Sequence, residues 1–189
     1  MIRHPKKRKL RIVGGKWRGR KISFPDLPTL RPTSNRIRET LFNWLHPYLK
    51  HSYCLDLFAG SGALGFESLS RGCTYSIFID CSKSVIANLK KNASVLNATN
   101  VKFFQKTFPY NIFQGIKNTP FNIVFLDPPF YQDLINQAFF WLEKMDILAP
   151  ESYIYVESEK DALLKPPKNW ESYREKKTTK LFYGLFFRS

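Results

Sequence analysis

The chain has 189 residues, a hydrophobic content of 43% with 16% aromatic side chains, and a formal net charge of +15. This content excludes a wholly disordered chain, and the length suffices for one domain with a sizeable core. No apolar run is long enough to span a bilayer, and no apolar segment follows the basic N-terminus as in a secretory signal. We therefore expect a cytoplasmic protein without a membrane partner.

The positive charge is concentrated at one end of the chain. Residues 1–38 contain 13 of the 30 Lys and Arg but only one of the 15 acids, and so carry +12 of the total charge. Short strands are predicted at Lys9–Val13 and Arg20–Phe24, around a glycine-rich turn. A structured basic hairpin favours binding of RNA or DNA over a solvated tail or a membrane surface. The side chains expected to contact nucleic acid there are Lys16, Trp17, Arg18 and Arg20, with packing of Trp17 against its own hairpin as the alternative.

A proline-punctuated linker at 25–32 separates this hairpin from a predicted helix over Ser34–His46. Ser34 is a candidate N-cap, and Pro47 is expected to end the helix. We divide the chain into a basic N-terminal extension over 1–33 and a catalytic domain over 34–189. Three further cations are expected to add phosphate contacts, namely Arg31, Arg36 and Arg38.

From residue 53 onward, apolar strand patterns alternate with amphipathic helix patterns. This alternation predicts a doubly wound α/β fold with a mostly parallel sheet. The predicted strands are 53–58, 75–79, 101–104, 123–126 and 153–156, and a closing pair lies at 171–176 and 181–187. The predicted helices are 63–71, 82–96, a short one at 110–117, and 134–145.

A glycine-rich loop follows the first strand of this region. Gly60, Gly62 and Gly65 form a GxGxxG pattern between a strand and a helix, the context in which such a loop holds a nucleotide-like cofactor. NAD, FAD and S-adenosylmethionine fit the pattern equally well. Asp56 precedes the loop, where a carboxylate would repel a pyrophosphate but attract a cationic amino-acid group. Asp80 ends the next strand, where a carboxylate can accept both ribose hydroxyls.

The turn Asp127-Pro128-Pro129-Phe130 follows the fourth strand of the region and is the most specific motif in the chain. Its prolines fix φ and lack N–H donors, so the carbonyls of Asp127 and Pro128 stay available as acceptors beside a carboxylate. Such a corner suits a planar exocyclic amine, and Phe130 offers a stacking face for the base.

With these motifs the sequence resembles the RsmD family of class I methyltransferases, which act on the guanine N2 of 16S rRNA. The family-specific segments are RIVGGKWRGRK at 11–21 and LRPTSNRIRETLFNWL at 30–45. They are accompanied by DLFAGSGALGFE at 56–67, NIVFLDPPF at 122–130 and IYVESE at 154–159. The resemblance implies a Rossmann-like, seven-stranded, mostly parallel sheet with an antiparallel last strand. It also implies methyl transfer from S-adenosylmethionine to guanine-966 within the 30S subunit or an assembly intermediate.

The resemblance also assigns residues to the two halves of the site. Asp127, Pro128, Pro129 and Phe130 would hold the target base. The cofactor would contact Asp56, Phe58, Ala59, Gly60, Ser61, Gly62 and Asp80. Thr107 stands where relatives often place Asn or Asp against the adenine amino group. Glu157, at the end of the fifth strand, either supports the fold or lines the site, and we favour the structural interpretation.

Three other interpretations follow from the same residues. An amino-methyltransferase acting on adenine N6 of DNA or RNA would use a similar corner, but the DNA enzymes usually carry a base-reading domain. A dehydrogenase shares the glycine loop but would need a second domain for its substrate. A non-enzymatic RNA-binding factor would not need the three aspartates. No metal site is expected, since the three cysteines form no CxxC pair or Cys/His cluster, and we expect a monomer.

Overall fold

An antiparallel hairpin opens the part of the chain that the computed structural model describes, which comprises residues 7–28, 30–110, 116 and 119–189. Strand β1 spans Lys7–Arg11 and pairs with β2 at Lys21–Pro25. A short 3-10 helix at Gly15–Trp17 lies in the connection. The predicted basic hairpin is confirmed, with each strand displaced by one or two residues from its predicted position.

A second sheet forms the centre of the molecule. Its strands within the described residues are β3 (Tyr53–Asp56), β4 (Tyr75–Asp80), β5 (Val101–Gln105), β6 (Phe121–Leu126), β7 (Leu148–Glu159), β8 (Trp170–Lys177) and β9 (Leu181–Arg188). The order is β5-β4-β3-β6-β7-β9-β8, and only β9 runs antiparallel to its neighbours. The predicted seven-stranded, mostly parallel sheet with an antiparallel last strand is confirmed.

Helices connect the parallel strands and pack on both faces of the sheet. In the described part of the chain they are α1 (Asn35–Leu49), α2 (Ala63–Ser70), α3 (Lys83–Leu96) and α4 (Leu134–Met145). The hydroxyl of Ser34 accepts a hydrogen bond from the Ile37 amide, which confirms this predicted cap. Asn97 ends α3 in the left-handed region at φ 54°, a conformation that asparagine tolerates.

Helix α1 passes through Pro47 and continues to Leu49, so the prediction that Pro47 ends the helix is wrong. Proline removes one amide and frees the carbonyl of residue 43, four positions earlier. Asn43 and Pro47 both lie on the exposed side of α1, where water can satisfy that carbonyl. Leu49 is buried on the opposite side, and its packing favours the extra turn.

Two apolar clusters cover the two faces of the sheet. One contains side chains of the hairpin, α1, α2 and α3, and the other is built around α4. Successive strand residues alternate between the clusters; Ile123 belongs to the first and Val124 to the second. Residues 111–115 and 117 of the short helix predicted at 110–117 lie outside the described residues. None of the helices in the described ranges is long and apolar enough to cross a membrane.

A buried carboxylate on α2 fastens the hairpin to the rest of the molecule. Glu67 is fully buried and accepts the amides of Val13 and Gly14 at 2.8 and 2.7 Å. The same carboxylate pairs with the guanidinium groups of Arg38 at 3.2 Å and Arg71 at 2.8 Å. The hairpin therefore shares one core with α1 and α2. The division of function between residues 1–33 and 34–189 stays a prediction.

Candidate active site

The candidate site lies at the carboxyl edge of the parallel strands. The chain leaves β3 toward β4 on one side, while β6 and β7 extend the sheet on the other, so the switch point is between β3 and β6. Four acidic residues lie in a row across this edge: at the ends of β4 and β3, just after the end of β6, and within β7 beside the end of β6. In sheet order they are Asp80, Asp56, Asp127 and Glu157.

A cavity of about 1070 Å³ opens above this row of carboxyl groups. The structure brings together on its wall most of the predicted cofactor and base residues: Asp56, Phe58, Ala59, Gly60, Ser61, Asp80, Thr107, Asp127, Pro128, Pro129 and Phe130. Gly62 is buried behind the loop and does not line the cavity. At φ +77°, it would place a Cβ 2.5 Å from a methyl group of Leu89, so glycine is required for packing there.

The glycine loop is fixed by Asp80. One carboxylate oxygen accepts the Gly60 amide at 2.9 Å, and the other accepts the Ser82 amide at 2.8 Å. Burial raises the pKa of Asp80, and these two amides oppose that rise. A carboxylate can accept about four hydrogen bonds, so Asp80 retains capacity for hydroxyl donors from the cavity. The residue therefore both shapes the loop and faces the ligand space.

Asp56 is almost fully buried beneath the loop. One of its oxygens accepts the Gly65 amide in the first turn of α2 at 3.1 Å. Loss of solvation raises the pKa of Asp56 to about 7, and the nearby Asp80 carboxylate adds to the rise. Burial makes the ionised form of Asp56 unfavourable when the cavity holds no cation. A cation that enters the cavity would stabilise the ionised form.

Aromatic side chains form an apolar wall on the β5 side. The rings of Phe58 and Phe108 lie 5.6 Å apart, and the ring of Phe108 meets that of Tyr110 edge-on. The hydroxyl of Tyr110 donates to the Leu57 carbonyl at 2.7 Å, which holds this wall against β3. Thr107 is exposed beside it. Phe108 and Tyr110 were not among the predicted site residues, because no sequence motif marks the loop in which they lie.

The Asp127 corner lies beside Thr33, the residue that follows the proline-punctuated linker. The hydroxyl of Thr33 donates to Oδ2 of Asp127 at 3.0 Å. Burial raises the pKa of Asp127, and repulsion from Glu157 raises it further. Pro128 is buried and Phe130 is half-buried. Thr33 and Glu157 also line the cavity, which favours the second interpretation of Glu157, as a residue of the site.

Two of the predicted RNA contacts are wrong. Trp17 is 6% exposed, with its backbone amide donating to Ser70 and its ring in the apolar cluster, so it cannot stack on a base. Arg38 is fully buried between Glu67 and the Arg11 carbonyl, so its charge cannot reach a phosphate. Both side chains support the fold instead.

The remaining predicted cations fall into two groups. Arg31 and Arg36 are exposed on the cavity wall. The second group belongs to the hairpin tip, which contains the exposed Lys16, Arg18 and Arg20. This tip contacts Ser70 at the end of α2, whereas Ala63 at the beginning of α2 lines the cavity. The length of the helix, about 12 Å, therefore separates the tip from the cavity.

Further cations at the cavity were not predicted. Lys176 and Lys177, near the end of β8, are exposed and line the cavity opposite the glycine loop. No local motif marked them, since their position depends on the pairing of β8 with β9. Among the described residues, no group of three or more His, Cys, Asp or Glu side chains is arranged to hold a metal ion.

Comparisons with known proteins agree with this architecture. The family model described as "Conserved hypothetical protein 95" matches residues 10–187. The Escherichia coli ribosomal RNA small subunit methyltransferase D is 46% identical over 180 residues, covering 95% of this chain and 90% of that protein. A solved E. coli putative methyltransferase is 44% identical, with a TM-score of 0.85 over 96% of this chain and 98% of that one.

A more distant likeness concerns the fold alone. A T. thermophilus 16S rRNA N2 methyltransferase, solved with AdoMet and guanosine, is 18% identical. Its TM-score is 0.65 over 97% of this chain and 50% of that one. The resemblance on the sequence motifs is thus confirmed, as is the fold class. The chain belongs to the family that the model describes as conserved hypothetical protein 95, which includes the ribosomal RNA small subunit methyltransferases D.

Proposed function

We propose that this protein transfers a methyl group from S-adenosylmethionine to the exocyclic N2 of a guanine in 16S rRNA. Its near full-length relatives are named small-subunit rRNA methyltransferases. The observation that carries the proposal is the shared cavity of the glycine loop and the Asp127 corner. We assign the guanine-966 position by family membership.

The cavity fits the cofactor in shape and charge. The glycine loop and Asp80 would hold the nucleoside, the Phe58 and Phe108 wall would pack on the adenine ring, and Asp56 would face the cationic amino-acid group. When bound, S-adenosylmethionine supplies an activated methyl group on a sulfonium. The role of Thr107 is to offer its hydroxyl or amide to the adenine edge.

The protein's task in the reaction is to position a poor nucleophile. The lone pair of the guanine amino group is delocalised into the ring. Asp127 and the Pro128 carbonyl would accept its two N–H groups and draw the nitrogen toward tetrahedral geometry, while Phe130 would stack on the base. Alignment of this kind is worth roughly 7–11 kcal/mol. Asp127 need not be a strong base, because the methylated nitrogen loses its extra proton readily.

The experiment is methylation of unmodified small ribosomal subunits and 16S rRNA with labelled S-adenosylmethionine, followed by nucleoside analysis. We expect N2-methylguanosine at one position. N6-methyladenosine, or transfer to duplex DNA instead of rRNA, would support the alternative amino-methyltransferase. No transfer to any nucleic acid would contradict the proposal and favour a binding factor.

The same proposal includes a cytoplasmic monomer that acts on the 30S subunit or an assembly intermediate. All residues assigned to cofactor and base come from one chain, so a second copy is not needed to complete the cavity. The target guanine must leave its base stack to enter the cavity, which costs a few kcal/mol and costs less in a single-stranded loop. Comparing the rates on naked rRNA and on assembled subunits tests this part.

Cofactor affinity is expected to depend on pH through Asp56. The pKa of this carboxyl is raised to about 7, and a bound cation would favour its ionised form. The affinity should therefore be constant above pH 7 and fall by up to about tenfold per pH unit below it. Titration of cofactor binding between pH 5.5 and 8.5 measures this.

Asp56→Asn serves as the control for the pH profile. Its amide oxygen can still accept the Gly65 amide, so the loop should keep its shape while the titration disappears. The affinity of the variant is expected to be lower at pH 8 and flat across the range. A variant with the same pH profile as the wild type would show that another group titrates.

RNA binding should depend strongly on salt. If about six phosphates of a single strand are neutralised, log affinity should fall with log salt at a slope near −4. Replacing Lys16, Arg18 and Arg20 together by Ala should make the slope less negative by about two. Replacing Arg31 and Arg36 together by Ala should make it less negative by somewhat less than that. Filter-binding titrations from 50 to 300 mM salt measure these slopes.

The matched control removes three cations on the α4 side of the sheet. Lys144, Lys165 and Lys168 are exposed and do not line the cavity. Their replacement by Ala changes the net charge as much as the tip variant does, but it should leave the slope within about half a unit of the wild type. A tip variant with the wild-type slope would exclude the hairpin tip from the RNA interface.

A further inference from the structure

Glu157 lies directly beside Asp127 at the carboxyl edge of the sheet. Strands β6 and β7 pair in parallel with Leu126 opposite Val156, so the next residue of each strand is again a neighbour. Neighbouring strands lie about 4.8 Å apart, and residues opposite one another point to the same face. Both carboxyl groups line the cavity, and Glu157 is 5% exposed.

Neighbouring hydroxyl groups hold the two carboxyl groups in place. The Tyr155 hydroxyl donates to Oε2 of Glu157 at 2.9 Å, and Thr33 donates to Oδ2 of Asp127 at 3.0 Å. Tyr155 is fully buried, which fixes the donor it offers. A carboxyl group can accept more hydrogen bonds than these, so both residues can still accept donors from the cavity. The result is a rigid pair of acceptors at the base end of the cavity.

The edge of guanine matches such a pair. Guanine presents N1–H and the N2 amino group side by side, so it offers two adjacent donors. Adenine presents an amino group beside an N1 lone pair, which is an acceptor. We propose that Glu157 accepts the N1–H of the target guanine while Asp127 accepts an N2–H, so that Glu157 selects a purine protonated at N1. This inference rests on the proposed function and names its specificity residue.

The expected discrimination follows from burial. A purine without N1–H would leave the Glu157 carboxyl buried against a lone pair and without a donor. Sites built to hydrogen-bond a substrate group reject analogues that lack it far more strongly than apolar pockets reject a missing methylene. Loss of one charge-assisted hydrogen bond between Glu157 and N1–H is expected to lower kcat/KM for such a purine about 10- to 100-fold relative to guanine.

The experiment uses 16S rRNA ligated to carry either guanine or 2-aminopurine at the nucleotide that the wild-type protein methylates. 2-Aminopurine keeps the N2 amino group but has a lone pair at N1. We expect wild-type kcat/KM to favour guanine by at least about 10-fold. Glu157→Gln, whose amide can turn its NH₂ group to N1, should narrow this preference by about tenfold or more. The fluorescence of 2-aminopurine adds a binding readout that does not require turnover.

The matched control is Glu151→Gln, on the same strand but exposed at its other end, which should keep the wild-type ratio. 2-Aminopurine also lacks the O6 of guanine, but this loss would lower its methylation equally in the wild type and in every variant. If the guanine to 2-aminopurine ratio of kcat/KM is unchanged in a folded Glu157→Gln, the inference is overturned. Equal wild-type use of both bases would overturn it without any variant. Absence of transfer to guanine would instead overturn the proposed function, and this inference with it.

Discussion

Replacing Asp127 by Ala is expected to lower methyl transfer by about 100-fold or more while leaving the affinity for S-adenosylmethionine unchanged. The carboxylate stands at the β6 end of the cavity, beyond Asp56 and away from the glycine loop. Its loss removes the acceptor that orients the amino nitrogen but no predicted cofactor contact. Single-turnover rates, with separate titrations of cofactor binding, measure both quantities.

The Asp127→Ala variant is expected to stay folded, so that the loss reports on catalysis. Burial and Glu157 raise the pKa of Asp127, so a carboxyl group at this position lowers the stability of the folded state at neutral pH. Removing it should leave stability unchanged or raise it. Asp127→Asn keeps one acceptor and should retain intermediate activity, and Asp161→Ala, in an exposed turn, should be fully active. Full turnover in Asp127→Ala would contradict the role assigned to the corner.

Replacing Glu67 by Ala is expected to lower the free energy of unfolding by about 3–5 kcal/mol or more. Glu67 is the common partner of Arg38, Arg71 and the amides of Val13 and Gly14. Its removal leaves a buried guanidinium without its counter-charge and two amides without an acceptor. This is a large share of the 5–15 kcal/mol typical of a domain. Urea unfolding monitored by tryptophan fluorescence measures it.

An exposed glutamate on α1 provides the control for this variant. Glu39→Ala removes a charge of the same sign from a surface position and should change stability by no more than about 0.5 kcal/mol. Arg38→Met should destabilise the protein strongly but leave the salt slope of RNA binding unchanged, since Arg38 is buried. A Glu67→Ala protein within about 1 kcal/mol of the wild type would show that the hairpin is not held by this carboxylate.

Local signals predicted most of the elements and the two halves of the site. The Ser34 cap and the alternation of apolar runs each act within a few residues, so they can be identified without the fold. Asp127 was found from its proline-rich turn, and Asp80 from the rule that ligands bind at the carboxyl ends of parallel strands. Glu157 satisfies the same rule, and applying it there would have placed this residue in the cavity.

The errors concern contacts between segments distant in sequence. Arg38 and Trp17 have the composition of RNA contacts, but Glu67 and Ser70, 29 and 53 residues further along, bury them. A charged side chain is buried only when such a partner exists, and the partner is known only from the fold. Pro47 was misjudged for a related reason, since the exposure of its side of α1 depends on how the helix packs.

The most direct measurement is a crystal structure of the protein with S-adenosylhomocysteine and guanosine. We expect the guanine N2 within about 2.7–3.2 Å of both an Asp127 carboxyl oxygen and the Pro128 carbonyl, with the nucleoside of the cofactor product on Asp80. A base bound elsewhere, or one whose N2 points away from these oxygens in the loaded cavity, would contradict it.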